Sequence, residues 1–146
     1  MTTAAQPFAR ILVPIDFQPA SDEHIAAAKK AYREINGHFI TAVMEGKYPD
    51  SYFESEKNDM PDFTEDEMKI ISTPLDFVGL NIYTCLSVRA APDTPSGYEI
   101  LPFTESYPRY DMPWLHLAPQ ATYWGPRFTS ELWKPKALYI TENGAA

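Results

Sequence analysis

A single cysteine, Cys85, stands in the 146 residues. That excludes an internal disulfide framework and a cysteine-based metal cluster, and Cys85 is expected to pack as a small buried hydrophobe. Basic residues are also few, 12 Lys and Arg against 20 Asp and Glu, for a net charge of −8. They are scattered, so the basic footprint that a phosphate backbone demands is missing and nucleic acid is excluded as a partner. No stretch reaches the ~18 consecutive apolar residues of a membrane span, so no membrane partner is expected. The opening MTTAAQPFAR lacks the charged and apolar regions of a secretory signal. His24, His38 and His116 have no metal-ligand spacing, Ser130 is not in a G-x-S-x-G elbow, and no glycine-rich phosphate loop occurs. A cytoplasmic protein without metal or cofactor is the expectation.

What is present is a globular composition with 45% hydrophobic and 14% aromatic residues, enough for one core. The run Ile11–Ile15 reads as a short strand that Pro14 must end or place at an edge. From Asp22 to Asn36, Ile25, Ala28, Tyr32 and Ile35 recur at spacings of three and four. That predicts a helix with one buried stripe, stopped by Asn36-Gly37. Phe39 to Met44 is apolar and could add further helical turns. Thr64 and Glu67 form a capping box for a short helix through Met68 and Ile71, which ends before Pro74.

Leu75–Thr84 is nearly continuously apolar, as expected of a strand covered on both faces. Residues 85–120 read as one long loop rich in Pro, Ser, Gly and Tyr. A helix is predicted from Gln120 or Tyr123 to Trp133, with Gly125-Pro126 weakening its first turns. Trp124 and Trp133 fall in this helical context as packing residues. Ala137–Thr141 is a third strand, followed by Glu142-Asn143-Gly144. The acidic stretch Glu54–Asp66 is expected to be a solvated surface. Strands alternating with helices predict an α/β fold with about three parallel strands. Three such strands leave long apolar edges, so the chain reads as part of a domain.

Several segments resemble glycoside hydrolase family 1, whose members are eight-stranded (β/α) barrels. Tyr139-Ile140-Thr141-Glu142-Asn143-Gly144 resembles the family's Y-I-T-E-N-G signature at the end of the seventh barrel strand. Asp76–Thr84 resembles its D-F-x-G-L-N-x-Y-T segment, the sixth strand. Asp111-Met112-Pro113-Trp114 resembles a D-M-G-W stretch in the following loop, with Pro113 in place of a frequent glycine. Gly46-Lys47-Tyr48-Pro49 matches a G-x-Y-P turn, and Phe17–Ser21 resembles the stretch after the fifth strand. The resemblance implies a partial (β/α)8 barrel over residues 11–146, covering roughly strands five to seven, with residues 1–10 outside it. It amounts to about a third of a complete member.

The resemblance also implies a chemistry. Retaining hydrolysis of a β-glycoside needs two carboxyl groups, an ionised nucleophile and an acid/base. Glu142 takes the nucleophile's place, on the C-terminal side of a strand, where barrel active sites are built. Tyr83 resembles the family tyrosine that donates a hydrogen bond to this carboxylate and keeps it ionised. Asn81 lies two residues earlier, on the same side of a regular strand, and is read as a second polar support. Trp114 falls where the family often places a tryptophan beside the aglycone site and offers a flat stacking face. No T-x-N-E-P segment, which carries the family's acid/base, occurs in these residues. Two readings follow: the nucleophile-bearing part of a β-glucosidase-like enzyme acting on small β-glycosides or oligosaccharides, or an inactive fragment serving at most as a folding or interaction module. A third reading is that the chain assembles with a missing N-terminal barrel portion as its partner.

Overall fold

The computed structural model describes residues 11–14 and 21–144. The expected strand residue Ile15, the Phe17–Ala20 part of the resemblance and the whole N-terminal segment 1–10 lie outside the described residues. The order is β1 (Ile11–Pro14), α1 (Asp22–Glu45), α2 (Asp50–Glu56), a 3-10 turn (Lys57–Asp59), α3 (Glu65–Ile71), β2 (Val78–Ile82), β3 (Cys85–Ala90), β4 (Tyr98–Leu101), α4 (Ala121–Trp133) and β5 (Leu138–Asn143).

The first helix departs from expectation. It begins at the N-cap Ser21, whose hydroxyl accepts the His24 amide, but it runs straight through Asn36-Gly37 to Gly46. Asn36 turns its amide inward and donates to the Tyr32 carbonyl one turn back (3.3 Å), so it does not cap. Gly37 serves packing rather than termination. A Cβ there would lie 3.1 Å from the Thr41 hydroxyl and 3.5 Å from the Trp133 ring. The stop is Gly46, in the left-handed region (φ 68°), whose N–H closes onto Ala42. α3 begins as expected, with Thr64 and Glu67 bonding reciprocally.

α1 and α4 meet through aromatic rings, Tyr32 lying 5.7 Å from Phe128 and 6.1 Å from Trp133 between centroids. The buried Tyr32 hydroxyl pairs with Thr129 at 2.8 Å, which satisfies both polar groups inside the core. Leu80, Ile82, Cys85 and Val88 complete that core from the strands. Trp133 is buried and Trp124 packs against the core, as the sequence reading expects of both. The charged residues between Glu54 and Asp66 are mostly exposed.

β2 and β5 are parallel, with α4 as the crossover between them, so they form a βαβ unit. β1 is parallel to β3. The expected single loop over 85–120 is corrected here: it contains the antiparallel hairpin β3–β4, in which Arg89 faces Glu99. Ser87 and Arg89 dilute the apolar signal of β3. Pro92, Pro95 and Gly97 (φ 74°) build the turn between the strands rather than an open loop. β2 is also corrected. It buries Leu80 and Ile82 on the helix side, whereas Gly79 is exposed, Asn81 half-buried and Phe77 exposed just before the strand. Helices cover one of its faces, and the described residues leave the other open. No helix among them is long and apolar enough to cross a membrane.

The helix pairing should dominate stability. Phe128→Ala, at a fully buried ring, is expected to cost about 3–5 kcal/mol. Tyr32→Phe strands the Thr129 hydroxyl and should cost about 1–3 kcal/mol. Urea unfolding followed by tryptophan fluorescence measures both, and Phe128→Ala must show the larger loss.

Candidate active site

β5 carries Glu142 to the end of the two-stranded sheet, where it stands opposite Asn81 of β2. The chain leaves β2 through Tyr83, and the Tyr83 hydroxyl donates a hydrogen bond to Oε2 of Glu142. The structure thus brings Glu142, Tyr83 and Asn81 together at one strand end. Asn81 itself accepts the Thr141 hydroxyl on its Oδ1 at 2.8 Å, so its link to the carboxylate runs through the neighbouring residue of β5. Asn143 donates to the Ile82 carbonyl (2.8 Å) and ties the strand ends on the other side of Glu142.

Glu142 is exposed, and among the described residues its carboxylate meets a donor, the Tyr83 hydroxyl, rather than a cation. The effect is visible on the tyrosine. The hydrogen bond to the carboxylate holds the Tyr83 phenol above its ordinary value of 10.0, with burial and the nearby negative charge adding in the same direction. A phenol that stays protonated remains a hydrogen-bond donor across the pH range in which ordinary carboxylates are ionised, up to its own raised value.

Trp114 sits on a different element. Residues Pro108 to Leu117 fold back on themselves: Tyr110 N–H bonds to the Leu115 carbonyl, Leu117 N–H to Pro108, and Arg109 bridges to His116. At the tip the Leu115 amide closes onto the Met112 carbonyl at 3.0 Å. Pro113 therefore occupies the second position of a β-turn, where its fixed φ is favoured, and Trp114 the third. The proline that replaces a frequent glycine is compatible with the turn. Leu115 is buried beneath it, and His116 stacks on Phe103 with 4.1 Å between centroids. The His116 amide donates to the buried Thr84 hydroxyl at 3.2 Å. Since Thr84 directly follows Tyr83, the Trp114 turn is tethered to the strand end that carries the Tyr83–Glu142 pair.

Sequence reasoning missed Gly79, Thr84 and Thr141. Gly79 lies inside a quoted motif, but its requirement shows only in three dimensions: a Cβ there would come within 2.9 Å of Thr141 Cγ2. Among the described residues no group of three or more His, Cys, Asp and Glu could hold a metal ion.

Comparison with known proteins matches residues 9–146 to the family model described as "Glycosyl hydrolase family 1". A 1,4-beta-D-glucan glucohydrolase of Thermotoga neapolitana is 34% identical over 134 residues, 89% of this chain and 31% of that protein. Beta-glucosidase A of Thermotoga maritima is 32% identical over 133 residues, 89% of this chain and 29% of that one. A solved structure of a Thermotoga maritima beta-glucosidase in complex with noeuromycin superposes with a TM-score of 0.65 at 28% identity. It covers 94% of this chain and 29% of the other. The chain thus spans about 30% of the length of these relatives, and its fold is part of a (β/α)8 barrel.

The Tyr83–Glu142 pairing predicts a titration. Because the folded state holds the phenolic proton more tightly than the unfolded chain, its stabilisation is complete below pH 10 and is lost as pH rises through the raised folded value. Glu142→Gln should bring the Tyr83 transition back toward 10 in ultraviolet titration. A Tyr83 transition unmoved by that substitution contradicts the pairing.

Proposed function

The chain belongs to glycosyl hydrolase family 1, and on that premise we propose that Glu142 is the nucleophile of a retaining β-glycosidase acting on β-glucosides. The observation that carries the reading is the Tyr83 hydroxyl donating to the Glu142 carboxylate at a strand end. An ionised carboxylate held by a phenol keeps one oxygen oriented and the other available for attack. That oxygen bonds to the anomeric carbon as the glycosidic bond breaks, giving a glycosyl ester on Glu142. Water then displaces the ester from the opposite side, and two inversions yield retention. The names of the relatives, beta-glucosidase and 1,4-beta-D-glucan glucohydrolase, support a β-linked glucoside as substrate. Trp114, at the tip of a tethered turn, is proposed to stack against the aglycone or second sugar.

The departing oxygen needs a proton, and the water needs a base. Both come from a second carboxyl group about 5–5.5 Å from the first. The T-x-N-E-P segment that would supply it is not in the 146 residues. General acid–base help is worth roughly 10²–10⁴-fold. The chain alone is therefore proposed to be inactive, and activity requires a polypeptide supplying the remaining barrel strands. Exposed Tyr139 and Ile140 on β5, at 58% and 43%, favour such a partner surface. By themselves they also fit the second reading, an inert folding or interaction module.

The 146-residue chain is expected to release no product from an aryl β-glucoside above background. Turnover that Glu142→Gln abolishes should arise only when a polypeptide bearing the acid/base segment is added. Turnover by the isolated chain, or turnover of the mixture that survives Glu142→Gln, contradicts the proposal.

A further inference from the structure

We propose that Thr141, with Gly79 facing it, is a positioning residue that sets the side of the sheet on which Glu142 is presented. The two strands run in simple register from Val78 opposite Leu138 to Leu80 opposite Ile140, and then shift. Asn81 stands opposite Glu142 and Ile82 opposite Asn143, so Thr141 is the extra residue on β5. Side chains of laterally paired residues lie on the same face of a sheet, and successive residues alternate. Without the shift, Glu142 would stand opposite Ile82, which is buried among the helices. Its carboxylate would then lie on the face of Leu80 and Ile82, away from the Tyr83 hydroxyl. With the shift it stands opposite Asn81, on the face that Tyr83 shares, and the Tyr83 bond forms.

Named contacts hold the irregularity in place. The Thr141 hydroxyl sits 2.8 Å from Asn81 Oδ1 and 3.3 Å from the Leu80 carbonyl, the two residues between which the register changes. The Thr141 side chain lies where a Cβ of residue 79 would be, 2.9 Å from its methyl and 3.0 Å from its hydroxyl. Gly79 has ordinary backbone angles, so its lack of a side chain, rather than conformational freedom, is what the site uses. A one-residue slip otherwise reverses the facing of every later side chain. Here that reversal is confined to the last residues of β5, where it delivers Glu142.

The consequence for turnover rests on Glu142 being the nucleophile, whereas the facing itself is read without turnover. The test is the Tyr83 titration in the 146-residue chain. Thr141→Val keeps the shape and removes the hydroxyl. It should lower the Tyr83 transition in the same direction as Glu142→Gln and by a comparable amount. Thr141→Ser, which keeps the hydroxyl, should leave the transition at its wild-type position. Gly79→Ala should act like Thr141→Val, and adding Thr141→Ser to it, which removes the clashing methyl, should recover part of the shift. If Glu142→Gln moves the transition and Thr141→Val and Gly79→Ala do not, the positioning role is overturned while the nucleophile assignment stands. If Thr141→Ser moves it as far as Thr141→Val, the hydroxyl is not what sets the register, and the proposal also fails.

Discussion

The parallel pairing of β2 with β5 is the constraint on which the site depends. Each residue of the pair that bears on chemistry reaches its place through the register of these two strands. α4 crosses between them, and its packing against α1 through Tyr32, Phe128 and Trp133 fixes the unit as a body. The core is therefore upstream of the site in a literal sense. Rings buried between two helices hold the strands, and the strand ends hold a carboxylate against a phenol.

Polar order at the strand end has a distinct physical basis from the core below it. Three separate side-chain ties join the two strand ends: Thr141 to Asn81 and Leu80, Tyr83 to Glu142, and Asn143 to Ile82. Thr84 ties the neighbouring aromatic turn to the same end through the His116 amide. Thr141, Glu142 and Asn143 are exposed, so each bond competes with water and is individually modest, and it is the several acting across the same two strands that fix their ends together. On the proposed function Glu142 must be oriented before a substrate arrives, and these ties between residues about sixty positions apart supply that orientation.

Much of this was legible in the residues, for identifiable reasons. The α1 stripe of Ala28 and Tyr32, the Thr64–Glu67 capping box and the apolar strand around Leu80 and Ile82 each express a local period or cap. The Tyr83–Glu142 contact follows from the family resemblance, which places both on adjacent strands. Other features depended on partners distant in sequence. Gly37 looks like a helix stop until Trp133 is seen against it. β3 was hidden because Ser87 and Arg89 break its apolar run, and Arg89 finds its partner Glu99 only in the hairpin. The register shift at Thr141 has no signature in β5 alone, because simple alternation from Leu138 and Ile140 assigns Glu142 to the wrong face.

The central claim is that Glu142 becomes covalently bonded to the sugar. It is tested most directly by trapping. The chain is completed with a polypeptide carrying the other barrel strands and treated with a β-glucoside whose leaving group is good but whose ester hydrolyses slowly. Peptide mass spectrometry then locates the adduct. The account predicts one glycosyl group, on Glu142, within the segment Tyr139 to Gly144. An adduct on another residue, or steady turnover with no adduct and inverted product, would contradict it.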